Sequence, residues 1–223
     1  GFTCVSSRNP GELTGNHTEG RTIEHFAEGL ATVYSKMAKA LKPGAPLAFT
    51  YHHNKLFTYE AIAAAILDAG LTCSMTLPCP AEMGGSIHIR GTNSSVIDTI
   101  FVNRSTGSAP QDTLCKTVDE LALLVAGEIA QLREAGLTPR RGDLRCITFG
   151  HLTRLAIWHL RKNWDSSVVT SAKLARVRAQ LIAFGDPEDV VARCENEEEP
   201  EQVYGDLFRH VMQRERGCDA VAF

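Results

Sequence analysis

The sequence predicts an α/β protein in which a small layered sheet is followed by an all-helical region. In the first half, helix-length segments with three- and four-residue apolar periodicity alternate with short apolar runs of strand length. After Arg104, a polar segment is followed only by segments with helical periodicity. We therefore expect a loop over residues 1–20, a sheet region over 21–104, a linker over 105–112 and helices over 113–223.

The first helix is predicted from apolar residues that recur at helical spacing, namely Ile23, Phe26, Leu30, Val33, Met37 and Leu41. Thr22 can cap its start, and the Lys42-Pro43-Gly44 turn ends it. The apolar run at residues 46–51 then has the length of a strand.

A second helix is predicted over residues 59–69, with Thr58 as its cap and Gly70 as its end. Two strands follow over residues 71–77 and 96–102, the first of them stopped by prolines. No helical segment separates these two strands. We therefore expect them to form an antiparallel pair at or near an edge of the sheet.

The second half begins with a capping box, in which Thr117 and Glu120 open a helix that Gly136 closes. Further helices are predicted over residues 143–164, 171–184, 187–194 and 200–216. The last two patterns are weaker than the others.

Composition narrows the class of protein. The chain has 223 residues, of which 43% are apolar and 22% charged, as in folded globular domains. No apolar run is long enough to predict a membrane span, and a net charge of -3 gives no overall attraction to nucleic acid or membrane. The seven cysteines form no C-x-x-C pair, so we expect free thiols in the cytoplasm rather than a zinc site. Because the first methionine is Met37, we also expect that an N-terminal part is missing.

Charge is unevenly distributed in the helical half. Residues 140–178 hold nine Lys or Arg against two Asp, and residues 186–206 hold nine acidic residues against one Arg. One interpretation is two solvated helical faces that partly neutralise each other. The other is a basic surface that binds phosphate, for which Arg154, Arg161 and Lys162 are the candidate contacts.

Three segments of the first half form a recognisable pattern. The first, MAKALKPG at residues 37–44, runs directly into the predicted strand at 46–51. The second is Tyr51-His52-His53 at the end of that strand, followed by a helix that ends in DAG. The third consists of PAEMG at residues 80–84, IRGTNSS at 89–95 and FVNR at 101–104.

These segments resemble the end of the catalytic domain of S-adenosylmethionine-dependent amino-methyltransferases. The closest likeness is to the large adenine-specific DNA methylases of restriction and phage-defence loci, and the third segment is the most specific. The helical half resembles their C-terminal extension through LREAG at residues 132–136 and GDL at 142–144. The likeness covers most of the chain and weakens after Trp164.

The resemblance implies the C-terminal part of a Rossmann-like class I methyltransferase sheet, followed by an all-helical extension. It also implies methyl transfer from S-adenosylmethionine to an exocyclic amino group of DNA, with N6 of adenine favoured. Two strings that the family needs are absent here: the F-x-G-x-G cofactor turn and the D-P-P-Y catalytic motif. We therefore expect no catalytic residue in this chain, no activity of the chain alone, and a partner that is either a missing N-terminal half or a complementary subunit.

Candidate DNA-contacting residues lie at the ends of the predicted strands. Tyr51, His52 and His53 would stand where open α/β sheets bind ligands, and they would contact the target base or a nearby phosphate. The alternative is a polar strand end bonded to neighbouring loops. The two histidines are adjacent, so they point to opposite faces and are not expected to bind a metal together.

The loop between the last two strands carries three further candidates. Arg90 could pair with a phosphate and Asn93 could orient a base, while Glu82 lies at the start of the same loop. Alternatively, Glu82 and Arg90 pair with each other and hold the loop in place.

Two other functions fit the same residues. One is a noncatalytic module for contacting DNA or for assembly, and the other is a class I methyltransferase remnant with another substrate. The segment made of PAEMG, IRGTNSS and FVNR favours DNA as the substrate over another substrate. None of these functions involves a membrane.

Overall fold

The computed structural model describes Leu13 and residues 21–81, 96–105 and 114–196. Within these residues the chain forms helices and strands in the order α1 (Ile23–Ala40), β1 (Pro46–Tyr51), α2 (Phe57–Asp68), β2 (Thr72–Pro80), β3 (Ile97–Arg104), α3 (Val118–Glu134), α4 (Arg141–Leu160), α5 (Thr170–Ala183) and α6 (Pro187–Asn196). A short 3-10 turn, Arg161–Asn163, follows α4. The predicted mixture of helices and strands is confirmed, and within the described residues only helices follow β3. The predicted helix over 200–216 and nearly all of the predicted loop (1–20) and linker (105–112) lie outside the described residues.

The three strands form one sheet in the order β1-β3-β2, with β3 antiparallel to both neighbours. The predicted antiparallel pairing of the last two strands is therefore confirmed. Because β1 and β2 both run opposite to β3, they are parallel to each other, and α2 is the crossover that joins them. Their carboxyl ends lie at one edge of the sheet, where Tyr51 and Pro78 both stand opposite Thr99. We call this edge the carboxyl edge.

Local signals set most element boundaries. The Thr22 side chain accepts a hydrogen bond from the His25 backbone N–H, as the cap prediction requires. Gly70 and Gly136 end α2 and α3 with φ values of 68° and 82°, a region that glycine adopts without strain.

The boundary predictions for α2 and β2 are wrong. Thr58 lies inside the first turn of α2 instead of capping it, and its hydroxyl donates to the Lys55 carbonyl at 2.8 Å. The strand predicted to end at residue 77 continues as β2 to Pro80. Within the described residues β2 has a strand partner on one side only, and proline is tolerated in such edge strands.

The helices α2 and α4 cover the same face of the sheet. Alternate residues of β3 are buried against them, beginning with Ile97 and Thr99. The Phe101 ring lies 6.5 Å from Tyr59 of α2, and the Thr99 hydroxyl donates to the Cys146 carbonyl of α4 at 3.1 Å. Within the described residues, the larger of two hydrophobic clusters therefore runs from α1 and the sheet into α3, α4, α5 and α6, and the smaller one contains Leu114, Leu155 and Trp158.

The central element of this core is α4, which is buried over nearly its whole circumference. It approaches β3 closely at Gly150, where a Cβ atom would lie 2.6 Å from Thr99 Cγ2. The helix predicted to reach residue 164 ends at Leu160 and tightens into the 3-10 turn. In the described part of the chain, no helix combines the length and the apolar character needed to cross a membrane.

Candidate functional site

The carboxyl edge brings together residues from β1, β3 and α4. His52 follows β1 directly, and its Nδ1–H donates to the Ile97 carbonyl oxygen at 3.0 Å. The same nitrogen lies 3.7 Å from Asp98 Oδ1. About a third of the His52 side chain (34%) and a quarter of the Asp98 side chain (24%) are exposed. This pair is therefore accessible to a ligand at the edge of the sheet.

Beneath His52 lies the thiol of Cys146, which is fully buried. The hydroxyl oxygens of Tyr59 and Thr99 each lie 3.5 Å from its Sγ atom. A hydrogen bond to Cys146 raises the pKa of His52 to about 9, and the charges and carbonyl around it add to this shift, whereas partial burial opposes it. His52 is therefore an imidazolium at neutral pH, next to the Asp98 carboxylate.

His53 has the opposite electrostatic character. Its Nδ1 accepts a hydrogen bond from the Lys55 backbone N–H at 3.1 Å, so the proton of the neutral ring is on Nε2. Burial lowers the pKa of His53, and the nearby charges of His52 and Lys55 lower it further. The two adjacent histidines thus provide one cation and one neutral ring.

Tyr51 and Tyr59 form the apolar wall behind these histidines. Their rings meet edge to face with centroids 5.1 Å apart. Burial raises the pKa of both hydroxyl groups, so both remain protonated. The Tyr59 hydroxyl donates to the His53 carbonyl at 3.2 Å and thereby holds the loop after β1 against α2.

Asp143 fastens α4 to the start of β3. Its buried carboxylate accepts hydrogen bonds from the backbone N–H groups of Val96 at 2.7 Å, Ile97 at 3.0 Å and Arg140 at 2.6 Å. The sequence marked this residue only as a helix start. Its effect is to fix Ile97, and with it the carbonyl group that orients His52.

A second polar group lies deep in the core between β2, α3 and α4. His151 Nδ1 and the Thr76 hydroxyl form a hydrogen bond of 3.0 Å, and His151 Nε2 lies 2.9 Å from Glu128 Oε2. All three residues are at most 4% exposed. The order hydroxyl, imidazole, carboxylate is that of a catalytic triad, but burial makes this group a structural link between the sheet and the helices. Sequence analysis did not find it.

Several predicted site residues lie elsewhere. Glu82, Arg90 and Asn93 fall outside the described residues. Among the candidate phosphate contacts, Arg154 is only 4% exposed, so its prediction as part of a basic surface is corrected. Lys162 is exposed.

Arg161 is half-buried, with its guanidinium 3.6 Å above the Trp158 ring. The three candidate phosphate contacts therefore do not form one basic surface.

Two arginines of the basic segment pair with the acidic segment. Arg141 binds both Glu188 and Glu195, and Arg145 binds Glu188 through two nitrogens. The pKa of Glu188 falls to about 2, chiefly because Arg145 donates hydrogen bonds to it. These contacts support the interpretation that the basic and acidic segments partly neutralise each other.

The carboxyl edge can therefore bind a polar ligand by charge and hydrogen bonding. Cys79 of β2, opposite Asp98, adds a partly exposed thiol there, and burial raises the pKa of this thiol. Among the described residues there is no cluster of three side chains that could hold a metal ion. Comparison with protein-family models, with curated proteins and with solved structures finds no match for this chain.

Proposed function

We propose that this chain is the C-terminal portion of an S-adenosylmethionine-dependent DNA methyltransferase that modifies an exocyclic amino group, with N6 of adenine favoured. The observation that carries the proposal is the placement of the Tyr51-His52-His53 segment. It ends the first of two parallel strands joined by a crossover helix, at the edge where open α/β sheets bind their ligands.

The sheet topology supports the same proposal. The unit β1-α2-β2 is a parallel crossover, and β3 is inserted between its strands in the opposite direction. Within the described residues, β1 has a strand partner on one side only. A Rossmann-like sheet would continue from the other side of β1, and the residues that resemble the L-K-P-G motif connect α1 to β1 at this position.

The residues present do not fit the cofactor by themselves. The sequence contains neither the F-x-G-x-G turn nor the D-P-P-Y motif, so we assign no step of methyl transfer to this chain. S-adenosylmethionine would supply the methyl group when bound to the complementary part. The role of this chain is to position the DNA strand, with the His52 imidazolium facing a phosphate oxygen and the Asp98 carboxylate beside it.

A helical DNA-binding module is less well supported. Four cations of the basic segment already bind carboxylates within the chain, namely Arg141, Arg145, Lys173 and Arg178. The cation at the carboxyl edge is therefore the better candidate for contact with DNA.

The proposal is tested by methyl transfer in two mixtures. This chain alone, incubated with tritiated S-adenosylmethionine and mixed-sequence duplex DNA, should transfer no label. Addition of the polypeptide that carries the F-x-G-x-G and D-P-P-Y motifs, encoded upstream or in a neighbouring gene, should produce N6-methyladenine.

Replacement of His52 by Ala should reduce this transfer, whereas replacement of the exposed Lys36 by Ala should leave it unchanged. Transfer by this chain alone would contradict the proposal. So would neighbouring coding sequences that lack both motifs, or a complementary part that is equally active without this chain.

A further inference from the structure

The loop after β1 and the first residue of α2 carry a second group of side chains at the carboxyl edge. It consists of His53, Lys55 and Phe57, and we call it the loop platform. Phe57 is 46% exposed although it opens a helix in which residues 58–67 are buried. Among the exposed large apolar side chains of the described residues, Phe57 is the aromatic one, and it lies at the carboxyl edge.

The rings of the loop platform are already arranged toward each other. The centroids of His53 and Phe57 are 6.2 Å apart, and their planes are inclined by 66°. The hydrogen bond from the Lys55 N–H to His53 Nδ1 fixes the imidazole and leaves Nε2–H as a donor. A flat ligand that covers the Phe57 ring would remove apolar surface from water and would lie next to this donor.

Lys55 adds a positive charge to the same loop. Its side chain is exposed, and it forms no ion pair with any residue in the described ranges. Lys55 and Phe57 are both exposed and are two residues apart in the sequence. A cation and an aromatic ring are the two groups with which proteins bind unstacked nucleotides, since the ring stacks on the base and the cation binds the phosphate.

We infer that the loop platform binds one unstacked nucleotide of a DNA strand. The base stacks on Phe57, the His53 Nε2–H donates to an acceptor on the base or sugar, and Lys55 binds the adjoining phosphate. This inference rests on the proposed function and deepens it, because it assigns the carboxyl edge to a single-stranded or extruded nucleotide. A free adenosine group shares the base chemistry, but it has no phosphate for Lys55.

The test is binding of a fluorescently labelled 12-nucleotide single strand to the whole chain, measured by anisotropy at several salt concentrations. Replacement of Phe57 by Ala should weaken binding roughly 5- to 150-fold, the range expected for the loss of one base stack. Phe57→Trp should retain binding. Phe57→Leu keeps an apolar side chain but has no ring, so it should lose binding. This variant separates the effect of stacking from any effect on folding.

Lys55 requires a different readout. Lys55→Gln should reduce the slope of log affinity against log salt by about 0.7, the value for one phosphate contact on a single strand. Phe57→Ala should leave this slope unchanged. Lys36→Gln, which removes an exposed lysine of α1, should change neither the affinity nor the slope.

Val169→Ala is the matched control for Phe57. Val169 is 69% exposed and directly precedes α5. Lys173 of α5 pairs with Asp68, which is the last residue of α2. Since Phe57 is the first residue of α2, the two sites are separated by roughly 18 Å, the length of that 12-residue helix. This control should bind DNA like the wild type.

The outcomes distinguish the two levels of the hypothesis. Absence of oligonucleotide binding by the wild-type chain at every salt concentration would overturn the proposed function. Binding that is unchanged in both Phe57→Ala and Phe57→Leu would overturn the loop platform alone. Full competition by free adenosine, together with a salt slope of zero, would overturn the assignment to a DNA strand.

Discussion

At the scale of single residues, the charge of His52 depends on atoms supplied by two other elements. Its Nδ1 donates to the Ile97 carbonyl of β3, and its raised pKa comes chiefly from the hydrogen bond to Cys146 of α4. Replacement of Cys146 by Ala removes the largest contribution to the raised pKa of His52. We therefore expect the pKa of His52 to fall from about 9 toward 6.5, as measured by NMR titration of its ring protons.

The same shift predicts how stability depends on pH. Because the pKa of His52 is higher in the folded state than its ordinary value of 6.5, its stabilising contribution is complete below pH 6.5 and is lost as pH rises through about 9. Urea denaturation of the His52→Gln variant should thus show a smaller loss of unfolding free energy across this window than the wild type.

His53→Gln is the control for this measurement. The pKa of His53 is lowered, so its contribution is lost only as pH falls below 6.5. Between pH 6.5 and 9 this variant should follow the wild type. Equal pH dependence in all three proteins would contradict the predicted charge of His52.

Gly150 determines how closely α4 approaches the sheet. An alanine Cβ at this position would lie 2.6 Å from Thr99 Cγ2 and 3.1 Å from its hydroxyl oxygen. The higher helix propensity of alanine is worth about 1 kcal/mol, but the collision should outweigh it, and we expect Gly150→Ala to lower the free energy of unfolding by roughly 1–3 kcal/mol.

A second substitution tests the cause of that loss. Thr99→Ser removes Cγ2 and retains the hydroxyl that donates to the Cys146 carbonyl. Combined with Gly150→Ala, it should recover part of the stability measured by urea denaturation. A Gly150→Ala protein that is as stable as the wild type would show that α4 can move away from β3 at little cost.

At the scale of elements, Asp143 connects the start of α4 to the start of β3 through the backbone N–H groups of Val96 and Ile97, and it caps α4 through that of Arg140. Hydrogen bonds to a charged acceptor contribute about 1.5–3 kcal/mol each, although such contributions do not add. We expect Asp143→Ala to lower the free energy of unfolding by at least about 2 kcal/mol. It should also increase amide hydrogen exchange at Val96 and Ile97, which lose their acceptor.

The exposed Asp165 serves as the control for Asp143. Among the described residues, its carboxylate accepts hydrogen bonds from Ser167 in the adjoining turn alone, so Asp165→Ala should leave the exchange of Val96 and Ile97 unchanged. An Asp143→Ala protein with protected amides at these two positions would contradict the role assigned to Asp143.

Local patterns predicted most elements, whereas long-range contacts determined the site. Thr22, Gly70 and Gly136 mark helix ends through bonds and backbone angles that involve neighbouring residues, and all three predictions are confirmed. Asp143 instead bonds to residues that precede it by 46 and 47 positions, and no periodicity reports such a contact.

The burial of Arg154 is a second feature that local sequence patterns did not predict. The spacing of Arg154 from Arg161 predicted a shared basic face, but α4 is surrounded by other elements and buries Arg154. Helical periodicity shows which residues share one face of a helix, and apolar residues predict that their face is buried. Periodicity does not predict that neighbouring elements also bury a polar face, as they do around Arg154.

At the scale of the whole molecule, the sheet depends on the helices of the second half. Phe149 of α4 packs edge to face against Tyr59 of α2, with ring centroids 5.5 Å apart. The indole N–H of Trp158 donates to the Cys73 carbonyl of β2 at 2.7 Å. Both side chains are at most 4% exposed, so removal of α4 would expose the face of the sheet that they cover.

This dependence predicts the behaviour of a chain that ends at residue 112. Without α4, the fragment loses the partner of Tyr59 and the cover over Thr99, and α1, α2 and the sheet cannot bury enough apolar surface to offset the entropy of folding. We expect no cooperative thermal transition by circular dichroism, strong binding of a dye that reports exposed apolar surface, and self-association in light scattering. The control is the full chain cleaved once between residues 105 and 113, which keeps both halves together and should melt cooperatively without binding the dye. A fragment that melts cooperatively as a monomer would show that the sheet region folds independently, and the interface with α4 would then be a contact between two stable units.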